Sequence, residues 1–511
     1  MGTASLFYYH GVLSATQFAA LLADTLLLTG LFAALGWLGN QMGGFRVGRF
    51  RAGETLRDAA FLLFLAVPAN AIRGVLERAA AKLSPDYWRH ASVHGFPPML
   101  KFLVVAGALV LFATFCCFHR QLVRMVSRTL VLLFPIVPFM LAEATWVVAR
   151  GSPHPVSDAP TAGRSAVEWR PGGMPAEVRP QRLVWIIFDE MDYRLAFETA
   201  AKTHLPEFSR LASQSLNAER AYPPGGRTMV SVPALLSGRL VTSSDAVGTS
   251  DLLVGYEGAT GPVRWKTEQT LFDLEREKGW RVGVAGWFFP YSRVFGKDIE
   301  ARQYQGWRLA LNPNRPFPGM MADEFRILLE DKTQSLLGKS LVVMQHQRII
   351  RETVEEAIRE SANPALDLVF LHLPVPHDPF FYDAKTGQDA APPRPVMGYF
   401  DHLQLGDHIL GKIRQAMKDA GVAGKTTLLV SSDHWDRRAD LIDGKLDHRI
   451  PFLVNFPGDA QGVRYPAPFN TILSRRLVTA IMKGEIRSAG EASRWIDREK
   501  GGLTESPYNR N

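Results

Sequence analysis

Leu183-Val-Trp-Ile-Ile-Phe188 runs straight into Asp189-Glu190-Met191-Asp192. Six apolar residues, most of them β-branched or aromatic, ending in acids, form the pattern of a strand buried on both faces that delivers carboxylates at its C-terminal end. Similar short runs follow at Leu183–Phe188's likeness: Val282–Trp287, Leu366–Leu371, Thr427–Ser431 and Pro451–Phe456. Between several of them lie amphipathic stretches, Glu268–Lys278, Glu352–Glu360 and Gly406–Ala420. Strand and helix in alternation predict an α/β domain with a mostly parallel central sheet and helices on both faces. Ligands bind such sheets at the carboxyl ends of the strands, so the residues just after each run are the ones to inspect.

The first 150 residues read differently. Apolar runs at Gln17–Gly39, Ala59–Leu76, Phe102–Phe118 and Thr129–Ala149 approach the roughly 20 residues a bilayer span needs, and predict an α-helical transmembrane bundle of about four helices. Pro68, Asn70 and Arg73 interrupt the second run, whose alternative is a buried or re-entrant helix. Asp24 and Glu143 are expected to face other helices or an interface, because a carboxylate in lipid is costly. Nothing before Arg46 is basic, and arginines gather at Arg46, Arg49, Arg51 and Arg57 and again at Arg120, Arg124 and Arg128. By the positive-inside rule these loops are cytoplasmic, and four spans place the rest of the chain outside the cytoplasm, in a bacterial inner membrane protein with a periplasmic domain. If the second run does not cross, the parity flips.

The domain boundaries follow: a membrane domain over 1–150, a Pro/Gly/Ser/Ala-rich linker over 151–180, the α/β domain over 181–490, and a polar C-terminal tail over 491–511. The only cysteines, Cys116 and Cys117, lie in the third apolar run and read as packing residues.

A net charge of +8 on 511 residues suggests nucleic acid at first sight. Residues 1–150 carry 13 Lys+Arg against 6 Asp+Glu, so +7 of the +8 lies in the membrane half. The basic total is a topology signal, the α/β half is close to neutral, and no nucleic-acid partner is expected.

Four further segments carry chemistry at strand ends. Asp189 and its neighbours offer hard oxygen ligands for a divalent cation, or a plain acidic turn. Pro223-Pro-Gly-Gly-Arg-Thr228-Met-Val-Ser231-Val-Pro233 delivers a hydroxyl to a helix start. There the helix dipole favours a developing alkoxide, with helix capping by Thr228 or Ser231 as the alternative. Asp433-His434 pairs an oxygen with a nitrogen ligand, suited to zinc or manganese. Leu371-His372-Leu-Pro-Val-Pro-His377-Asp378 adds two histidines after another strand, and His448 precedes the last.

In this order the segments resemble the alkaline phosphatase and sulfatase superfamily: an acid after the first strand, a Thr/Ser/Cys nucleophile at a helix start, a His-Pro region late in the chain, and Asp-His soon after. The resemblance covers roughly Arg182 to Gly484. Thr228-Met-Val-Ser-Val-Pro233 looks most like the nucleophile segment of the membrane-anchored phosphoethanolamine transferases, whose plan of helical bundle and extracytoplasmic catalytic domain the lipoteichoic acid synthases share. The resemblance implies an alkaline phosphatase-like fold, Thr228 as nucleophile, and one divalent metal ion bound by Asp189 or Glu190 with Thr228, Asp433 and His434. Zinc or manganese is expected, with calcium or magnesium as alternatives. It assigns His377 and His448 to holding the transferred group or protonating the leaving group.

Departures narrow the choice. Two-metal relatives carry an Asp where Leu373 stands, which points to a single ion. Thr228 with Pro233 five residues on does not fit the Cys/Ser-x-Pro-x-Arg context of formylglycine sulfatases. Trp435 replaces the usual Gly after Asp-His, and the disulfides common in phosphoethanolamine transferases have no cysteines here.

The expected function is a membrane-anchored enzyme moving a phospho-linked group on an envelope lipid or glycan. The first alternative is a sulfatase-like or phosphodiester hydrolase with water as acceptor. The second is a catalytically inactive envelope-binding or sensor domain.

Overall fold

The computed structural model describes residues 9–10, 15–41, 46–47, 50–51, 121, 128, 142, 181–199, 204–247, 251–295, 301–305, 307–308, 316–322, 341–389, 398–459 and 461–505. The second and third apolar runs, nearly all of the fourth, the linker over 151–180, and Cys116 and Cys117 lie outside the described residues. The first run falls within α1 (Ala15–Gln41). Among the described residues no helix is long and apolar enough to cross a membrane. The chain divides into two compact units, one of Met1–Val12, Gly151–Leu309 and Gln334–Asn511, the other of Leu13–Arg150 and Ala310–Thr333.

In the first unit every expected strand is present. β1 (Arg182–Phe188), β2 (Leu216–Ala218), β3 (Val282–Trp287), β4 (Ala301–Gln305), β5 (Leu368–Leu373), β6 (Thr426–Ser432), β7 (Phe452–Asn455) and β8 (Val463–Tyr465) form one sheet. Their order is β4-β3-β5-β1-β6-β7-β2-β8. The five strands from β4 to β6 are parallel, with β1 between β5 and β6. β7 is antiparallel to both β6 and β2, so the sheet is mostly, not wholly, parallel.

The helices that cover it are α2 (Pro206–Ser213), α3 (Thr228–Ser237), α4 (Leu271–Glu277), α5 (Leu341–Ala362), α6 (Gly398–Asp419), α7 (Ser474–Met482) and α8 (Ala489–Glu499). Side chains alternate faces along a strand, and β1 shows what that does. Leu183, Trp185 and Ile187 point into a core shared with α3, α4, α7 and α8. Val184, Ile186 and Phe188 point into a second core with α2, α5 and α6. All six are fully buried, which is why β1 reads as an unbroken apolar run rather than an alternating one.

α8 corrects the expected tail. Residues 491–499 belong to this helix, and Ala492 and Ile496 are fully buried in the first core. Ser488 caps the helix by accepting from the Glu491 N–H, and an amphipathic 11-residue segment with such a cap docks rather than trails.

Arg182 secures the bottom of the sheet. Its guanidinium is buried and donates to the carbonyls of Ser361 (2.7 Å) and Leu366 (3.0 Å) and to Thr426 Oγ1 (2.8 Å), joining β1, β6 and the end of α5. Burial pulls its pKa down to about 10.

Candidate metal and nucleophile site

The chemistry-bearing residues collect at the opposite end, where β1, β5 and β6 finish. The Ser432 hydroxyl ties two of these ends together, lying 2.6 Å from the Phe188 carbonyl and 2.7 Å from that of His434 while accepting from the Met191 N–H at 2.9 Å. Asp189 continues β1 by donating its N–H to Leu373 O of β5.

Asp189, Asp433 and His434 are almost wholly buried, and their ligand-type atoms lie within 4.8 Å of one another. Asp433 Oδ1 accepts from the N–H groups of Glu190 (3.2 Å) and His434 (2.9 Å), which fixes its rotamer. Its Oδ2 and both carboxylate oxygens of Asp189 have no hydrogen-bond partner among the described residues. His434 Nδ1 lies 2.9 Å from the Trp435 carbonyl. A carbonyl only accepts, so Nδ1 carries the ring proton and Nε2 presents a lone pair. That lone pair faces Asp433 Oδ2 at 3.4 Å, Asp189 Oδ1 at 3.8 Å and Thr228 Oγ1 at 3.3 Å.

Unpaired buried carboxylate oxygens are costly, and the two that face the bare imidazole nitrogen, Asp189 Oδ1 and Asp433 Oδ2, form with it a donor set that a divalent cation satisfies. The residues therefore fit the metal that the sequence implies. Electrostatics agree: burial and the neighbouring Asp189 push the Asp433 carboxyl up. Burial works the same way on Asp189, but its neighbours, the His377 charge foremost, outweigh it and hold that carboxyl well below its ordinary value.

Thr228 is the first residue of α3, after an extended Arg227 whose side chain makes no cap bond. The Gly-rich turn is needed here, because a Cβ on Gly225 would lie 2.6 Å from Val230 Cγ1. Neither capping alternative occurs. The Ser231 hydroxyl donates back to Gly225 O at 2.7 Å, and Thr228 Oγ1 turns to His434.

The backbone sends Asp189 and Glu190 to different groups. Glu190 has φ 63°, a left-handed conformation that turns its side chain away from that of Asp189. Its buried carboxylate accepts from Arg437 Nη2 (2.7 Å) and Nε (3.1 Å) and from Arg438 Nη2 (3.4 Å), with His377 Nε2 at 3.9 Å. Glu190 is thus not in the Asp189 cluster. It groups with His377 and Asp378, where two guanidinium groups already balance it.

His377 is the next member. Burial alone would pull its pKa down, but Glu190, Asp189 and Asp378 outweigh it and push it to about 9. Its carbonyl lies 3.3 Å from His346 Nε2, and its ring meets Trp287 edge-on at 5.0 Å. Burial drives His346 and His402 down to about 3, so both stay neutral.

The structure brings together Thr228, Asp189, Asp433 and His434, with His377 beside them through Glu190. It does not bring His448 into that cluster. His448 stacks on Trp435 at 4.1 Å and pairs with Glu505 at 3.3 Å.

The sequence left Arg437, Arg438 and Tyr291 unmarked and placed His372 beyond its strand. Arg437 and Arg438 follow Asp433-His434 after Trp435 and Asp436, and were legible as charges near the site. His372 was read as lying after the strand, whereas β5 runs on to Leu373 and carries His372 within hydrogen-bonding reach of Tyr291, 2.8 Å away. Tyr291 itself, the first residue of a short helical turn (Tyr291–Val294) after β3, gave no signal.

The sulfatase family model matches residues 181–481. Among solved structures, a sulfatase from Pseudoalteromonas sp. is 15% identical, covering 60% of this chain and 68% of its own, with a TM-score of 0.40. A phosphonate monoester hydrolase of Agrobacterium radiobacter is 14% identical over 60% of this chain and 77% of its own (TM-score 0.38). An alkaline phosphatase superfamily protein from Vibrio parahaemolyticus is 16% identical over 60% and 67% (TM-score 0.38). No curated protein sequence matches the chain.

Proposed function

The chain belongs to the sulfatase family, in the alkaline phosphatase superfamily, and on that premise we propose that it is a membrane-anchored enzyme moving a phospho-linked group on an envelope lipid or glycan, with Thr228 as nucleophile. One observation carries the reading: the Thr228 hydroxyl lies 3.3 Å from His434 Nε2, at the edge of the Asp189, Asp433 and His434 cluster. A hydroxyl used only for packing or capping has no reason to face metal-type ligands.

Asp189, Asp433, His434 and Thr228 would hold one divalent ion, with zinc or manganese suited to the mixed donor set, which when bound would supply Lewis-acid stabilisation of charge on the hydroxyl and phosphoryl oxygens. Thr228 Oγ1 attacks phosphorus as the bond from phosphorus to the donor oxygen breaks. The Thr228 proton leaves to solvent, and the departing oxygen takes a proton from His377, which Glu190 keeps charged. An acceptor hydroxyl then attacks the phospho-threonine and gives its proton to His377. The bond from phosphorus to Oγ1 breaks, and Thr228 is reprotonated from solvent. The opening of α3 presents the positive end of its dipole to the charge that develops.

The same steps with water as acceptor make a hydrolase, and the family's hydrolytic members favour keeping that second reading.

Anchoring rests on the four apolar runs and on α1, whose Leu26, Leu27, Leu31, Trp37 and Leu38 are between 46% and 71% exposed. Large apolar side chains displayed along a 27-residue helix suit lipid contact. Tethering holds the site at its substrate's surface and raises the effective concentration. The arginine-rich loops support placing the catalytic domain on the periplasmic side of a bacterial inner membrane.

The test uses the purified full chain in detergent with a phospholipid donor. Product that forms only when an acceptor alcohol is added supports transfer, and release into water supports hydrolysis. Turnover undiminished in Thr228→Ala would contradict both.

A further inference from the structure

We infer that His372 is a positioning residue that aims the Asp189 carboxylate into the metal-type cluster, with Tyr291 fixing the tautomer in which it does so. The inference rests on the reading of Asp189, Asp433 and His434 as the ligands of one cation.

The two oxygens of Asp189 face different partners. Oδ1 lies 3.8 Å from His434 Nε2, on the cluster side, and Oδ2 lies 3.6 Å from His372 Nε2. His372 is not among the residues whose ligand atoms lie within 4.8 Å of one another, so it stands on the far side of the carboxylate rather than joining the donor set. Both His372 and Tyr291 are fully buried.

Tyr291 Oη lies 2.8 Å from His372 Nδ1. For the neutral ring two arrangements satisfy that bond. If Nδ1–H donated to the phenol oxygen, the Nε2 lone pair would face a buried carboxylate oxygen, which is repulsive. If the phenol donates to Nδ1, the ring proton sits on Nε2 and faces Asp189 Oδ2, which is attractive. The second arrangement is the stable one. A separation of 3.6 Å is longer than a hydrogen bond, so the contact acts as a charge–dipole attraction that orients the carboxylate. It leaves Oδ1 free of competing donors and directed at the cluster, the outer support that metal ligands commonly receive.

The protein makes room for this pair. A Cβ on Gly286 would lie 2.6 Å from Tyr291 Cε2 and 3.2 Å from His372 Cβ, so the glycine in β3 lets the phenol slide beneath the histidine. Phe289 and Phe370 wall the phenol in, with ring centroids 5.9 Å away in each case. Nothing in the proposed phosphoryl steps uses Tyr291 or His372, yet both are packed as closely as the candidate ligands.

The test is zinc affinity of the chelator-stripped full chain, measured by competition with a fluorescent chelator, for the unaltered protein and Asp433→Asn, His372→Gln, His372→Asn and Tyr291→Phe. The Gln amide nitrogen falls near the place of ring Nε2 and can still donate to Asp189. The Asn amide reaches only the place of Nδ1 and keeps Tyr291 alone. His372→Gln should stay within about 3-fold of the unaltered affinity, while His372→Asn should weaken it by about 10–100-fold. Tyr291→Phe, which frees the tautomer, should fall between them. Thermal unfolding of each stripped variant separates affinity from folding. Equal affinity in His372→Gln and His372→Asn, whether both tight or both weak, would overturn the inference. Failure of the underlying reading looks different: the unaltered chain would then bind zinc no better than Asp433→Asn.

Discussion

Thr228 Oγ1 lies 3.3 Å from His434 Nε2 although 206 positions separate the two residues. The approach has two independent causes. β6 ends beside β1 and releases Asp433-His434 at the sheet's carboxyl edge, and the Gly-rich turn at Gly225 starts α3 so that its first side chain faces that edge. The carbonyl of Trp435 then fixes the imidazole with Nε2 toward the threonine.

Thr228→Ala should lower turnover by at least about 10³-fold, since it removes the hydroxyl that faces His434 Nε2. Asp189, Asp433 and His434 remain, so metal content should change little. Thr228→Ser keeps a hydroxyl and should retain measurable turnover. Steady-state rates and metal analysis on the same preparations check both.

Glu190 and Asp189 should separate cleanly by metal content. Asp189→Asn and Asp433→Asn should each weaken zinc binding by more than the roughly 100-fold expected of an outer-sphere change. Glu190→Gln should leave zinc content intact, because its carboxylate serves Arg437, Arg438 and His377. Loss of metal in Glu190→Gln equal to that in Asp189→Asn would refute this division of labour.

His377→Gln should reduce turnover of an alkyl phosphodiester by about 10²–10⁴-fold. An aryl ester, whose leaving group departs without a proton, should be affected much less. Equal losses on both substrates would remove His377 from the role of acid.

Glu360 gives a stability prediction with a definite sign. Its carboxylate is buried on α5 without a hydrogen-bond partner among the described residues, and burial pushes its pKa from 4.5 to about 8 despite Arg359. The folded chain thus retains a proton that the unfolded chain loses above pH 4.5. Its contribution is fully present below that pH and is lost as pH rises through about 8, at up to about 1.4 kcal/mol per unit. Glu360→Gln should raise Tm relative to the unaltered chain by an amount that grows across this window and then levels off, as thermal melts in a buffer series would show.

The parts of the fold and site that were legible are those fixed by short-range pattern. β1, β3 and β6 read directly because both faces are buried, so the strands carry short runs with few charges, and Asp189, Thr228, Asp433 and His434 were visible as chemistry close to such runs. What escaped depended on backbone angles and long-range neighbours. The left-handed φ at Glu190 divides two adjacent carboxylates between two clusters, and no composition signal marks it. His372 sits one residue from the end of β5, where a strand boundary read two residues early hides the direction of its side chain. His448 lies near the correct strand, but the Trp435 ring takes it up. The polar surface of α8 masked a helix whose buried stripe is only Ala489, Ala492 and Ile496.

The central claim, a covalent intermediate on Thr228, is tested most directly by mass spectrometry of the full chain quenched during turnover of a phospholipid donor. The account predicts one phospho-linked adduct, confined to the peptide containing Thr228, absent from Thr228→Ala and discharged when an acceptor alcohol is added. Turnover with no adduct on Thr228, or an adduct on another residue, would contradict it.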